Sequence, residues 1–385
     1  MLNFEFCNPT RIVFGAKTVA RLADLVPAQA RVLILFGGES ARKTGTLDEV
    51  KAALGERTFL EFGGIEANPT YETLMRAVEI VRNEKIDFLL AVGGGSVIDG
   101  TKFVAAAVDY PGDPWEILAT HGRKVAGALP FGSVLTLPAT GSEMNSGSVI
   151  TRKATQTKFA FMSAHVYPRF SILDPTKTYT LPQKQIANGI ADAFVHTVEQ
   201  YLTFPVDARV QDRYAEGLLQ TLIEIAPQAL EPGENYDVRA NLMWAATQAL
   251  NGLIGAGVPQ DWATHMIGHE ITALYGVDHA RTLAIVLPSL LKVQRAQKRE
   301  KLLQYAQRVW HIDAGSEDER IDAAIARTRQ FFESLGIATR LSAYDIGRDA
   351  VDALVKQLDS HGMRKLGERQ DITLEVSRAI LEDAC

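Results

Sequence analysis

Cysteine is scarce in this chain. Of 385 residues only Cys7 and Cys385, near opposite ends, are cysteines, and neither sits in a Cys-x-x-Cys spacing. A disulfide framework is excluded, and a thiolate cage around a metal has no ligands to draw on. Long apolar runs are also missing. None approaches the roughly 20 residues of a membrane span. The opening Met1-Leu2-Asn3-Phe4-Glu5-Phe6 lacks the basic and apolar stretches of a secretory signal. A reducing cytoplasm is the expected setting, with no membrane partner. The net charge of −6 argues against a nucleic-acid partner, which usually needs a basic face. There is no internal repeat and no low-complexity tract. What remains is an ordinary globular composition, 46% hydrophobic and 22% charged. The length predicts two domains with room for a large core.

The first half alternates two periodicities. Arg31-Val32-Leu33-Ile34-Leu35-Phe36 is a short apolar run ending at Gly37-Gly38, and it reads as a buried strand. A helix over about 41–54 follows, then a strand at Phe59-Leu60-Glu61-Phe62. Asn68-Pro69-Thr70 is a helix-start signal, with Leu74, Ala77, Val78 and Val81 on one helical face behind it. Asp87 to Val92 is the next strand and runs into Gly93-Gly94-Gly95. This order predicts a parallel sheet covered by helices. Residues 148–162 read as a hairpin, and Arg11 to Gly15 as an added edge strand. After Thr180-Leu181-Pro182 strand signals nearly vanish, and segments near 183–202, 207–229, 235–255 and 262–275 have helical periodicity. The expected organisation is an α/β dinucleotide-binding domain over 1–182 and an all-helical domain over 183–385.

Three glycine or hydroxyl turns follow strands in the first half. At Gly93-Gly94-Gly95-Ser96 the backbone N–H groups and the helix dipole suit a diphosphate, although Ile98 occupies the place of the last glycine of G-x-G-x-x-G. A tight turn without a ligand uses glycine in the same way. Gly37-Gly38, followed by Glu39, stands where a carboxylate often holds the adenosine ribose, and it also reads as a simple turn. In Leu137-Pro138-Ala139-Thr140-Gly141-Ser142-Glu143, Thr140 and Ser142 offer hydroxyls to a cofactor or to a helix cap.

The second half carries the metal chemistry. Of eight histidines, His196, His265, His269 and His279 fall between residues 192 and 279. Asp192 and His196 are four apart, and so are His265 and His269; on a helix each pair shares a face. His279 lies beyond a helix break expected at Gly276. Nitrogen donors with one carboxylate suit Zn²⁺ or Fe²⁺ better than Mg²⁺ or Ca²⁺. His265-Met266-Ile267-Gly268-His269 lacks the glutamate of H-E-x-x-H, which disfavours peptide hydrolysis. His121, His165, His311 and His361 look scattered, and the four tryptophans read as packing residues.

These motifs together carry a family signature. Asn8-Pro9-Thr10-Arg11, Gly93 to Ser96 with Asp99, and Leu137 to Glu143 belong to it. So do Asn188-Gly189-Ile190-Ala191-Asp192-Ala193-Phe194-Val195-His196, Gly255 to His265, His269 and Asp278-His279. The chain resembles the iron-containing (group III) alcohol dehydrogenases of dehydroquinate synthase-like fold. Within them it is most similar to NADPH-dependent aldehyde reductases related to bacterial butanol dehydrogenases. The resemblance implies a metal-dependent alcohol dehydrogenase acting on short-chain aldehydes and primary alcohols. It implies one divalent metal, Fe²⁺ or Zn²⁺, held by Asp192, His196, His265 and His279, with His269 as a proton-relay residue. It places Gly37, Gly38, Ser40, Lys43, Gly94, Gly95, Ser96, Asp99, Thr140, Ser142 and Lys158 around NADP(H), and it implies a homodimer. Gly38 stands where NAD-preferring relatives carry aspartate, leaving room for a 2′-phosphate, while Glu39 departs from the glycine of NADPH-using relatives. The competing readings are a glycerol-dehydrogenase-like polyol dehydrogenase, a dehydroquinate-synthase-like lyase and, of a different class, a non-catalytic nucleotide-binding or structural metal protein.

Overall fold

The structure, a computed structural model, describes residues 1–385. It forms two compact units. One comprises Cys7–Pro182 with Gly233–Thr247; the other comprises Met1–Phe6, Gln183–Pro232 and Gln248–Cys385.

The first unit is built on a six-stranded sheet of β1 (Arg11–Phe14), β2 (Val32–Phe36), β3 (Phe59–Phe62), β4 (Phe88–Gly94), β5 (Phe131–Leu137) and β8 (Phe170–Leu173). The strand order is β1-β8-β5-β4-β2-β3, and every pairing is parallel. Side chains alternate across it. Leu33, Leu35, Leu89 and Ala91 enter one core with Leu74, Ala77, Val78 and Val81 of helix Tyr71–Asn83. Val32, Ile34, Phe36, Leu90 and Val92 enter the other with Leu47, Val50 and Leu54 of helix Thr46–Leu54. Both faces are covered, which is why these strands read as unbroken apolar runs. The hairpin of β6 (Gly147–Arg152) and β7 (Thr157–Met162) forms a separate antiparallel ladder.

Two sequence expectations are corrected here, and one strand is added. The single helix over 41–54 is two pieces, Ser40–Lys43 and Thr46–Leu54, because Gly45 between them takes the left-handed conformation at φ 76. Strand β8 has no forecast in the sequence reading. The second unit is helical but carries one short ladder, Lys365–Leu366 against Ile372–Thr373.

Strand order positions the glycine turns. The chain leaves β2 for the edge strand β3, then returns across β2 to β4, so the carboxyl ends of neighbouring β2 and β4 form a switch point where ligands bind in such sheets. Gly37-Gly38 follows one end and Gly94-Gly95 the other. A Cβ on Gly37 would lie 3.6 Å from Val97 Cγ2, in the first turn of helix Gly95–Ala107.

In the second unit, helix Gln183–Tyr201 is buried on nearly all sides from Ile186 to Tyr201. It packs with Arg209–Leu230 and His279–Val293, and the latter packs with Ala263–Tyr275. Such a helix should be apolar throughout; Asp192, His196 and Glu199 are its buried ionisable exceptions, beside the polar Thr197 and Gln200.

The sheet contains one tight contact. Phe170 of β8 lies across Gly132 of β5, and a Cβ on Gly132 would sit 2.3 Å from its ring. Gly132→Ala should destabilise the protein by about 1–3 kcal/mol through overpacking. Urea unfolding of the variant beside wild type measures it; an unchanged midpoint would contradict this packing.

Candidate metal centre and nucleotide site

Asp192 and His196 share one face of the buried helix. Two further histidines come from other elements. His265 is on helix Ala263–Tyr275, which ends at Gly276 in the left-handed conformation, and His279 opens helix His279–Val293. All three imidazoles converge on one atom. Asp192 Oδ1 lies 3.6 Å from His196 Nε2, 3.8 Å from His265 Nε2 and 3.7 Å from His279 Nε2. These distances are too long for hydrogen bonds. For Asp192, His265 and His279, whose ligand atoms all lie within 4.8 Å of one another, separations of 3.7–3.8 Å from the oxygen suit a shared cation bound at about 2.0–2.3 Å. Buried Asp192 Oδ1 and His265 Nε2 have no hydrogen-bond partner. The donor set therefore fits a divalent transition metal. Asp192, His265 and His279 form the tightest group, their ligand atoms all within 4.8 Å of one another. His196 stacks on His265 at a centroid distance of 4.6 Å. His269 lies outside that group, its ring 5.1 Å from His279 and 6.2 Å from His265.

Electrostatics follow from burial. Burial alone would raise Asp192, but His196, helped by His265 and His279, holds its carboxyl well below the ordinary range. Burial pushes His196 down to about 4, so it is neutral at pH 7. For His265 burial acts downward too, yet the charges of Glu199 and Asp192 outweigh it and raise the imidazole to about 9.

The sequence reading missed Glu199. Its carboxylate bonds His265 Nδ1 and accepts the Thr264 N–H at 2.7 Å. The signal was available, because Asp192, His196 and Glu199 stand at i, i+4 and i+7. Two more groups frame the start of the His265 helix. Trp262 precedes it in the left-handed conformation at φ 64, its indole edge 5.4 Å from the His265 ring. Asp261 accepts the Ala263 N–H at 2.9 Å and is itself held by buried Lys298 at 2.5 Å.

In the α/β unit the glycine turn at Gly93 to Ser96 opens helix Gly95–Ala107. A Cβ on Gly95 would fall 2.1 Å from Thr140 Oγ1, so only glycine lets the two turns touch. Ser142 donates to Asp99 Oδ1 at 2.5 Å, and Val149 N–H donates to Asp99 Oδ2 at 2.9 Å. Lys102, fully buried, donates to Ser142 Oγ, Asn145 Oδ1 and the Gly147 carbonyl at 2.7–2.8 Å. Burial lowers Lys102 to about 8 against the pull of Asp99 and Glu143. Asp99, its carboxyl raised by burial, and Ser142 thus brace the turn internally. Ser96 bonds the Ala67 carbonyl, and Lys158 donates to Asn68 Oδ1 at 3.1 Å, which brings Asn68, read from the sequence only as part of a helix-start signal, to the same end of the sheet. Gly38 has open space where a Cβ would project, and Ser40 and Lys43 beside it are exposed. Arg42, also missed, pairs with Glu61 at 2.9 Å and Glu39 at 3.8 Å.

A doubly covered parallel sheet with glycine turns at its switch point, and a buried Asp/His cluster on helices, define a metallo-dehydrogenase of two-part build. The chain belongs to the iron-containing alcohol dehydrogenase family: residues 9–175 match the model of that name, and residues 186–382 match the family's C-terminal model. It is 64% identical to the NADPH-dependent aldehyde reductase YqhD of Escherichia coli, over 100% of both chains. It is 42% identical to a probable NADH-dependent butanol dehydrogenase 1 of Bacillus subtilis, over 94% of this chain and 95% of that one. The crystal structure of E. coli YqhD superposes with a TM-score of 0.99, covering 100% and 99% of the two chains. An NADH-dependent butanol dehydrogenase A of Thermotoga maritima, 33% identical, superposes at 0.95 over 100% and 99%. No helix is long and apolar enough to cross a membrane.

The raised His265 gives a signed pH dependence. Below about 9 the metal-free imidazole holds a proton that a cation has to displace. The apparent Zn²⁺ affinity should therefore weaken about tenfold per unit as pH falls from 9 to 7. Chelator competition at several pH values measures it; a flat profile would remove His265 from the ligand set.

Proposed function

We propose that this protein is a metal-dependent, NADP(H)-linked alcohol dehydrogenase that reduces short-chain aldehydes and oxidises the matching primary alcohols. The observation carrying this reading is the convergence of three imidazole nitrogens on one Asp192 oxygen. Its context is a chain 64% identical throughout to an NADPH-dependent aldehyde reductase. In this reading residues 1–182 serve as the nucleotide-binding domain and 183–385 as the metal-binding domain.

Asp192, His196, His265 and His279 hold one divalent cation, Fe²⁺ or Zn²⁺. When bound, the cation supplies Lewis acidity toward a carbonyl oxygen and the nicotinamide supplies hydride. His269, 4% exposed and outside the tightest ligand group, exchanges the proton of the substrate oxygen. Gly94, Gly95 and Ser96 offer backbone N–H groups to a diphosphate at the start of a 13-residue helix. Thr140 and Ser142 shape the adjoining turn, Asp99 braces it, and Lys158 adds a cation. Gly37, Gly38 and Ser40 leave space for a 2′-phosphate, to which Lys43 and Arg42 contribute positive charge. A homodimer is supported by the edge position of β1 and by Phe14 and Trp244, both exposed and 6.0 Å apart between ring centroids. The two free cysteines suit a reducing cytoplasm.

Oxidation of NADPH with butanal, with and without a chelator, tests the activity; turnover that survives complete metal removal would overturn the mechanism. The kcat/KM ratio for NADPH over NADH should exceed one, and Gly38→Asp should erase or reverse it, since a carboxylate there repels the 2′-phosphate. A native preference for NADH would assign the ribose to Glu39 instead. His269→Ala should retain metal and cofactor binding while kcat falls about 10²–10⁴-fold with an altered pH profile. Metal loss in that variant would make His269 a ligand, and full kcat at all pH values would end its role in proton transfer.

A further inference from the structure

The helical unit buries a carboxylate that the reaction above leaves without a task. Glu199 is 3% exposed and stands one turn beyond His196 on the helix that also carries Asp192. Its two oxygens are committed to neighbouring residues of one other helix. Oε2 bonds His265 Nδ1, and Oε1 accepts the Thr264 N–H at 2.7 Å, in the first turn of helix Ala263–Tyr275. The Glu199 carbonyl also accepts the Asp261 N–H at 2.9 Å, just before that helix begins. With Nδ1 engaged, His265 offers its opposite nitrogen, Nε2, which has no hydrogen-bond partner and points toward Asp192 Oδ1 at 3.8 Å.

We propose that Glu199 is a positioning residue of the metal centre: it fixes the ring orientation and tautomer of His265, and it anchors the start of the helix that carries this ligand. The inference rests on reading Asp192, His196, His265 and His279 as the metal site. Two constraints give it force. An imidazole binds a cation through a nitrogen without a proton, so an acceptor on the far nitrogen selects the productive tautomer and increases the donor strength of the near one. A carboxylate at a helix N-terminus is favoured by the exposed N–H groups and the dipole there. One side chain meets both demands, so ring orientation and helix position are set together.

Glu199→Gln keeps the shape and removes the charge. The Zn²⁺ dissociation constant, measured by competition with a chromophoric chelator, should rise about 10–100-fold. The visible absorption bands of the Co²⁺-saturated variant should shift, because a released His265 ring changes the ligand field. NADPH binding by the metal-free protein, followed by cofactor fluorescence, should stay within about twofold of wild type, as a side chain acting only on the metal centre requires. If Glu199→Gln fails to fold, Glu199→Asp, which retains the charge but withdraws it by one methylene, carries the same measurements. A tight wild-type site with an unchanged variant affinity overturns the role of Glu199 alone. Weaker binding with an unchanged Co²⁺ spectrum also overturns it, since that pattern marks general loosening. A wild-type protein that binds Zn²⁺ no more tightly than His265→Ala overturns the metal site itself.

Discussion

Asp192 places a negative charge inside a helix buried on nearly every side, and the helical unit is organised around answering that charge. An isolated carboxylate in such a place is costly unless cations or donors surround it. Here the surrounding groups are imidazoles brought by three different helices. Like imidazolium charges cannot all stay protonated at such close quarters, and burial lowers His196 while Glu199 and Asp192 raise His265. The protein thus holds a pocket of mixed protonation, whose nitrogen and oxygen donors would suit a divalent cation. Helix packing sets this cluster, because moving any one helix would pull an imidazole away from Asp192.

The α/β unit solves a parallel problem with a different cation. Asp99, Lys102 and Glu143 are enclosed beneath the glycine turn. Lys102 spends all three of its donors on the segment Ser142–Gly147. Glu143 reaches Thr247, on the segment Gly233–Thr247 that joins this unit from far along the chain. A buried network of this kind specifies one arrangement of a loop more sharply than apolar packing would. The network therefore ties the start of helix Gly95–Ala107, after β4, to the segment that follows β5.

Legibility of the sequence followed physical range. The strands at Val32–Phe36 and Phe88–Gly94 were plain because strands covered on both faces must be apolar throughout. The start at Thr70 was plain because its side chain caps its own helix. Asp192 with His196, and His265 with His269, declared themselves through helical spacing. Long-range pairing was the barrier elsewhere. Phe170–Leu173 is too short to announce a strand, and only its neighbours β1 and β5 define it. Helical spacing put Glu199 on the face of Asp192 and His196, but its partner, 66 residues away, was out of reach, as were the partners of Lys102, 40–45 residues away. Gly45 interrupted a helix that composition alone would have continued. The triad's convergence on a single oxygen was beyond spacing rules, which place side chains on faces but not faces against one another.

Two glycines of the α/β unit differ in what they permit. Gly95 is locked, since any side chain would collide with Thr140, whereas Gly38 faces open space and makes no contact that a side chain would disturb. Selection can therefore act on position 38 without touching the core. The relatives include both NADPH-dependent and NADH-dependent enzymes that align over nearly the whole chain. The rim of this turn is thus free to vary in shape and charge while the sheet, the packed turns and the buried charges beneath it stay as they are.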